Sequence, residues 1–364
     1  MKIQKNIYKR KDGRWEGRYF KEYDSNGKIK YGSVYAKTYN EVKIKLSSVI
    51  PSVLNMPDNK VDVYFIDVCY DWLNNKKSAI KQSTYAKYSF EIEKYIAPQF
   101  IKYKLYKIDK NSLCDLITSN QQLTQKTLKH LSVIFKSIIR YTNEKYDFNI
   151  ELKDYPFTST SDKKYNVLSA SEQEKLEKYL LKQANLSKLG VYLCLYTGLR
   201  IGELCALKWS DIDLDNEILR VNKTMQRIQN TDGGSSSKTK IIIEKPKSET
   251  SIRDIPLPKH IIGILKKYKP IYRKDSYFLT GNMSYIEPRA MQNKFKTYLE
   301  KAGADDINFH ALRHTFATRA IESGIDVKSV SEILGHSTVK MTLEKYVHIT
   351  MEQKRKEINK LKPF

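Results

Sequence analysis

The sequence predicts a multidomain, mainly α chain with small β-sheets: a three-stranded β-sheet plus one helix first, a helical bundle next, and an α+β domain last. Three observations predict it. Two hairpin turn signals, Asp12-Gly13 and Asn26-Gly27, divide the first fifty residues into runs rich in aromatic and β-branched side chains. A helical apolar period then runs from about Val61 to Tyr146. Two linker-like stretches, Pro51 to Asn59 with two prolines and no period and the polar Glu151 to Asn166, separate the parts, so the expected domains are 1–55, 60–150 and 165–364.

Composition narrows the function. With 65 Lys plus Arg against 41 Asp plus Glu, the formal charge is +24 over 364 residues, which favours a polyanionic partner, nucleic acid first. No apolar run approaches the roughly 18 residues of a membrane span and no signal-peptide core opens the chain, so a soluble, cytoplasmic protein without membrane partners is expected. Cys69, Cys114, Cys194 and Cys205 are far apart and form no C-x-x-C pair, which reads as reduced packing residues.

Taken in order, Asn6–Arg10, Arg14–Tyr23 and Ile29–Lys37 are the expected strands. Thr38-Tyr39-Asn40-Glu41 is a capping box that opens the helix behind them. This module carries thirteen basic and five acidic side chains in its first fifty residues. Tyr8, Trp15, Tyr19 and Tyr31 are expected in its core, whereas Arg14, Arg18, Lys28 and Lys30 are expected on its surface, where a β-ribbon can enter a major groove. Further on, Val61–Leu73 repeats apolar residues at helical spacing. Ser83 is expected to cap a helix that Pro98 stops, and Asp109 another through Ile117. Leu123–Tyr146 sets Leu128, Leu131, Ile134, Phe135, Ile138 and Ile139 on one side. The bundle holds no cluster of acid, base and nucleophile, which suggests binding.

Ser169-Ala170-Ser171-Glu172 is a second capping box and opens the third domain, with helices near 170–183 and 187–197. Arg200 then falls at a tight turn leading into a new helix, with Glu203 at i+3 to orient it. The acids Asp211, Asp213 and Asp215 invite a calcium reading that fails, because Asn216 and Asn222 stand where an EF-hand loop needs Gly and Glu. They read as a turn into a strand from Glu217 to Met225. Gln229–Lys240 is a polar hairpin tip, Ile241–Lys245 the returning strand, and Pro258–Lys269 and Glu287–Lys301 two more helices.

The last part, Asn308 to His348, concentrates the chemistry. His310 and Arg313, at i, i+3 of one helix, can reach the same anion. Gly324 and Gly335 suit left-handed helix ends, so the backbone turns twice and can bring His336 back toward them. Tyr346 follows ten residues later. His310 and His314 also stand at the spacing of a zinc helix, but Ala311 replaces the required Glu, so no metal is expected.

The pattern H-x-x-R, L-G-H and Tyr resembles the C-terminal signature of the tyrosine recombinases, the phage-integrase family. Thr197-Gly198-Leu199-Arg200, with Glu203-Leu204, Trp209 and Asp211-Ile212, resembles the family's first box. The run Pro246–Pro256 resembles the hairpin that holds the family's catalytic lysine, where Lys247 matches by position and Lys245 and Lys240 are rivals. The resemblance implies a tyrosine-recombinase catalytic domain, a core-binding bundle before it and an N-terminal module for arm-type DNA sites. It further implies catalytic residues Arg200, Lys247, His310, Arg313, His336 and Tyr346, and no metal, ATP or other cofactor.

The chemistry follows from charge. Two guanidiniums, Arg200 and Arg313, can grip the nonbridging oxygens of a phosphodiester in the planar geometry that ammonium groups lack. The phenol of Tyr346, with an ordinary pKa of about 10, must pass its proton on, and His310 is the expected acceptor. His336 would donate to the phosphate and Lys247 would protonate the departing 5′ oxygen. The expected protein is an integrase of a mobile genetic element, phage or conjugative transposon, working on double-stranded DNA as a homotetramer. Its implied accessory partners are an excisionase and a host DNA-bending protein. A type IB topoisomerase and a DNA-binding regulator are the rivals, and Met351–Leu361 reads as a short basic helix that docks on the chain itself or on a neighbouring subunit.

Overall fold

The structure is a computed structural model that describes residues 7–10, 12–23, 29–38, 41–42, 45–46, 63–157, 166–231, 237–246, 249–268, 271–346 and 358–359. The chain divides into two compact units, one of residues 1–160 with 229–238 and the other of 161–228 with 239–364. Among the described residues, no helix is long and apolar enough to cross a membrane. The four cysteines are free thiols, three of them buried.

The N-terminal strands β1 (Ile7–Lys9), β2 (Trp15–Tyr23) and β3 (Ile29–Ala36) form an antiparallel sheet in the order β1-β2-β3. Thr38 Oγ1 accepts from the N–H of Glu41 as the capping box requires (3.3 Å). Side-chain alternation decides which aromatics are covered. On one face Gly17 lies against Val42 and Leu46, and there Trp15 and Tyr19 are half-buried. Tyr8 and Tyr35 stand opposite Glu16 on the other face and Tyr31 opposite Phe20, so the expectation that Tyr8 and Tyr31 are core fails. Both are exposed, Tyr31 by 50%. That open face centres on Glu16, whose carboxylate accepts from Arg10 (2.7 Å), Arg18 (3.0 Å) and Ser33 (2.9 Å). Burial opposes its charge, yet hydrogen bonds from Arg10, Arg18, Ser33 and Tyr8 hold its pKa down at about 2. Arg14 and Arg18 are exposed as expected, with Arg14 over the Tyr35 ring and Arg18 over Tyr8. Lys28, the Asn26-Gly27 turn and the side chain of Lys30 lie outside the described residues.

The helical part comprises α1 (Phe65–Asn75), α2 (Gln82–Glu91), α3 (Ala97–Phe100), α4 (Ser112–Thr118) and α5 (Gln125–Tyr146). All six expected core positions of α5 are buried, against Phe65, Trp72, Ile92 and Phe100 among others. Two boundaries differ from expectation. Ser83 lies inside α2, which opens after an extended Lys81, and Pro98 does not stop the helix. A π-turn at Ile92–Ile96 precedes Pro98 and places it in the first turn of α3, where its missing N–H is tolerated. Asp109 does cap α4, accepting from the N–H groups of Asn111 and Ser112 (both 3.0 Å). The expected second linker also starts late: Ile150, Leu152, Tyr155 and Phe157 pack on the bundle, and Asn143 clamps both backbone groups of Ile150.

In the second unit, α6 (Ala170–Leu181) starts from the predicted capping box, with Ser169 and Glu172 bonding reciprocally. Helix α7 (Leu186–Thr197) is buried along nearly its whole length against α6, α10 (Pro288–Ala302) and α11 (His310–Glu322). A short α8 (Ile201–Ala206) leads to β4 (Ile212–Asp213) and β5 (Ile218–Val221). The strand expected over Glu217–Met225 is broken: Lys223 turns back to the buried Asp211 (2.9 Å), and the chain leaves that sheet as β6 (Thr224–Gln229). β6 pairs with β7 (Thr239–Glu244), whereas β5 pairs with β4 on one side and β8 (Arg253–Pro256) on the other. After α9 (Lys259–Tyr268) and α10, helices α11, α12 (Val327–Leu334) and α13 (Val339–Tyr346) close the unit. The segment expected to form a basic helix, Met351–Leu361, lies outside the described residues apart from 358–359.

Gly198 ends α7 at φ +62, and a Cβ there would come within 2.7 Å of Leu334 and Phe316. Gly198→Ala is therefore expected to lower the melting temperature of the C-terminal unit. The left-handed backbone alone costs about 1 kcal/mol, and the overlap adds to it. A thermal scan showing an unchanged midpoint would contradict this close packing.

Candidate active site

The site begins with a carboxylate. Glu203 is the third residue of α8, only 3% exposed, and its oxygens meet two guanidiniums. Arg200 at the helix start donates Nη1–H to Glu203 Oε1 (2.7 Å) and its backbone N–H to Oε2 (3.0 Å). Arg253, first residue of β8, donates to the same two oxygens (3.2 and 2.9 Å). Burial works against a charge on Glu203, but hydrogen bonds and charge from Arg253, with the charge of Arg200, hold its carboxyl below the ordinary 4.5.

The guanidiniums are also anchored to helix ends. Arg253 Nε–H reaches the carbonyl of Ile333 (2.6 Å), and Arg200 Nη2–H that of Gly335 (3.3 Å). Arg313, 2% exposed on α11, donates to the carbonyls of Leu334 (2.6 Å) and Gly198 (3.0 Å). The C-terminal carbonyls of α7 and α12, which lack intrahelical partners and carry the negative end of the helix dipole, are thus taken by cations. Burial, the largest effect, and repulsion from Arg200 and Arg253 push the Arg313 guanidinium down from 12.5 to about 9, still charged at neutral pH. Gly335 makes the close approach possible: its φ is +64, and a Cβ would lie 2.8 Å from the Thr250 carbonyl and 3.0 Å from Arg253.

Tyr346, the last residue of α13, is 7% exposed and packs with Ala317, Ala320, Val330 and Leu334. Its hydroxyl lies 2.6 Å from Nδ1 of His314. His336 follows Gly335, with its ring parallel to that of Tyr346 at 6.4 Å and its Nδ1 2.7 Å from Thr342 Oγ1. His310 is exposed at the start of α11, and its ring stands edge-on to His314 at 4.7 Å.

Of the sequence candidates, Arg200, Glu203 and Arg313 meet around the ends of α7 and α12, and His310, His336 and Tyr346 gather about α11 and α13. The hydroxyl of Tyr346 meets His314, where His310 was expected, because α11 places His314 one turn deeper. Lys247 lies outside the described residues; Lys240 is half-buried on β7 and Lys245 is exposed just past it. Sequence reasoning missed Arg253. The signal was available: alternation in β8 buries Arg253 with Ile255, and a cation on the covered face of a strand calls for a buried carboxylate.

A cluster of three guanidiniums to one carboxylate, in the same unit as a phenol hydrogen-bonded to a histidine, fits one class: enzymes that transfer phosphoryl groups through a covalent tyrosine. Comparison with known proteins agrees. The profile described as "Phage integrase family" matches residues 166–353, and that described as "Phage integrase, N-terminal SAM-like domain" matches 64–119. The chain belongs to the phage integrase family and is a tyrosine recombinase. A "Tyrosine recombinase XerC-like" protein of Caldanaerobacter subterraneus subsp. tengcongensis is 29% identical, the alignment covering 93% of each chain. Among solved structures, the Tn1549 transposon integrase in complex with a circular intermediate DNA superposes with a TM-score of 0.64 at 19% identity, covering 83% of this chain and 100% of that one. A lambda integrase tetramer bound to a Holliday junction gives 0.58 at 18%, covering 96% and 100%. At these identities the structures speak for the fold.

The buried carboxylate makes a pH prediction. Because the folded pKa of Glu203 is depressed, its contribution to stability is fully present above 4.5 and lost as pH falls through the lower folded value. Glu203→Gln should flatten that acid limb in denaturant titrations of the C-terminal unit. It should also cost roughly 3–5 kcal/mol at neutral pH, since Arg253 is left buried without its counter-charge. An acid limb identical to that of the unsubstituted protein would refute the role given to this carboxylate.

Proposed function

We propose that this protein is the integrase of a mobile genetic element, which cuts and rejoins double-stranded DNA through a 3′-phosphotyrosine. The observation that carries the reading is the Tyr346 hydroxyl, held 2.6 Å from His314 in the same unit as the guanidiniums of Arg200 and Arg313. A scissile phosphate bound by Arg200 and Arg313 gains a cationic setting that strengthens as negative charge builds on its oxygens. The phenol attacks phosphorus, the 5′ oxygen leaves with a proton, and one phosphoester replaces another. Because that exchange conserves the bond, rejoining to a different 5′ hydroxyl needs neither ATP nor a metal.

The proton roles follow from position. In this reading His314, 2.6 Å from the hydroxyl, accepts its proton, and His310, whose ring stands edge-on to His314 at 4.7 Å, carries it outward. His336 donates to a nonbridging oxygen, and Lys247 remains the proposed general acid for the leaving 5′ oxygen.

Binding is divided among three domains, 1–55, 60–150 and 165–364. The helical bundle takes the core site together with the catalytic domain. The open face of the N-terminal sheet takes arm-type sites: it presents Arg14 and Arg18 beside exposed Tyr8, Tyr31 and Tyr35, cations and flat rings suited to phosphates and base edges. Lys28 and Lys30 belong to the same proposal. The assembly is a homotetramer on two duplexes in the cytoplasm, with an excisionase and a host DNA-bending protein setting direction.

The test is a nicked core-site duplex incubated with the protein in EDTA. A covalent adduct is expected, and Tyr346→Phe should abolish it while still shifting the DNA in a gel. An adduct that survives in Tyr346→Phe, or that appears only with added metal, would overturn the mechanism.

A further inference from the structure

Thr342 is fully buried on α13, four residues before Tyr346. Buried helical threonines in this chain turn the hydroxyl to the carbonyl of residue i−4: Thr142 to Ile138, Thr197 to Leu193 and Thr315 to Ala311. The Thr342 hydroxyl instead lies 2.7 Å from Nδ1 of His336, on the other side of the turn that joins α12 to α13. A neutral imidazole has one donor nitrogen and one acceptor, and the partner of one nitrogen fixes the role of the other.

We propose that Thr342 is a positioning residue that donates its O–H to Nδ1 of His336, so that the proton of the neutral ring sits on Nε2, the donor the phosphate requires. The inference rests on the recombinase reading above. A hydroxyl can donate or accept, and the chemistry chooses between the two. If Thr342 accepted from Nδ1–H, Nε2 of the neutral ring would carry a lone pair, which repels a phosphate oxygen. Donation by Thr342 gives the productive tautomer without requiring His336, next to the Gly335 that Arg200 binds, to add a charge to the cluster of Arg200, Arg253 and Arg313.

Geometry adds a second consequence. Thr342 and Tyr346 occupy one face of α13 a single turn apart, and the His336 and Tyr346 rings are parallel within 3°. Seating the nucleophile and orienting the histidine are then one event. A helix drawn away from the pocket takes the Nδ1 partner with it, so a phosphate is not activated while its tyrosine is undocked.

The experiment compares single-turnover adduct formation on a nicked duplex by the full-length protein, Thr342→Ser and Thr342→Val, with DNA affinity measured alongside. Serine keeps the hydroxyl and loses a methyl, whereas valine keeps the shape and loses the hydroxyl. The expected result is a rate for Thr342→Ser within about threefold of the unsubstituted protein and a loss of about tenfold or more for Thr342→Val, at unchanged affinity. A valine variant as fast as or faster than the serine variant would mean that Thr342 only packs, and would overturn the proposal. Absence of adduct from the unsubstituted protein would instead strike the recombinase reading. Should the valine variant not fold, the nitrogen-15 spectrum of histidine-labelled unsubstituted protein decides: a proton on Nε2 of His336 supports the assignment, and one on Nδ1 overturns it.

Discussion

One buried carboxylate, Glu203, is shared between Arg200 and Arg253, and the geometry of the site depends on that sharing. Burying an ion is costly, and a single pair rarely repays the cost. Here the same guanidiniums also take the carbonyls of Ile333 and Gly335, while Arg313 takes those of Gly198 and Leu334. These bonds join the ends of two helices, the start of a third and the first residue of a strand. The contacts that stabilise this part of the unit are therefore those that aim its cations.

The cluster remains cationic on balance, and Arg313 registers the imbalance, its pKa pushed down to about 9 by burial and by its two neighbours. An anion bound at this cluster, as proposed, would relieve repulsion already present in the protein alone. That is preorganisation in physical terms: the cost of bringing positive charges together falls on folding, before the substrate arrives. The phenol is prepared similarly, since Tyr346 is fixed by apolar packing around its ring and by a short hydrogen bond at its tip.

Much of this was legible in the sequence wherever the information is local. Spacing alone placed His310 and Arg313 on one helix, Gly335 at a helix end and Glu203 beside Arg200, and the period of the long bundle helix named its buried residues. What escaped was set by partners distant in sequence. The pairing of Glu203 with Arg253 crosses fifty residues, and the choice of His314 over His310 depends on how deeply a tyrosine from another helix is seated. Tyr8 and Tyr31 were misplaced for a related reason: composition marks them as strand residues, but only the register with Glu16 and Phe20 decides their face. Pro98 failed as a stop because a π-turn before it changed which N–H groups the helix needs.

In the proposed reaction the hydroxyl seated against His314 becomes covalently joined to DNA at a phosphate held by Arg200 and Arg313. Peptide mapping by mass spectrometry of the adduct trapped on a nicked duplex tests it most directly. A nucleotide 3′-phosphate is expected on the peptide that contains Tyr346. The same mass on a peptide containing Tyr268 or Tyr298, or on any other side chain, would contradict it.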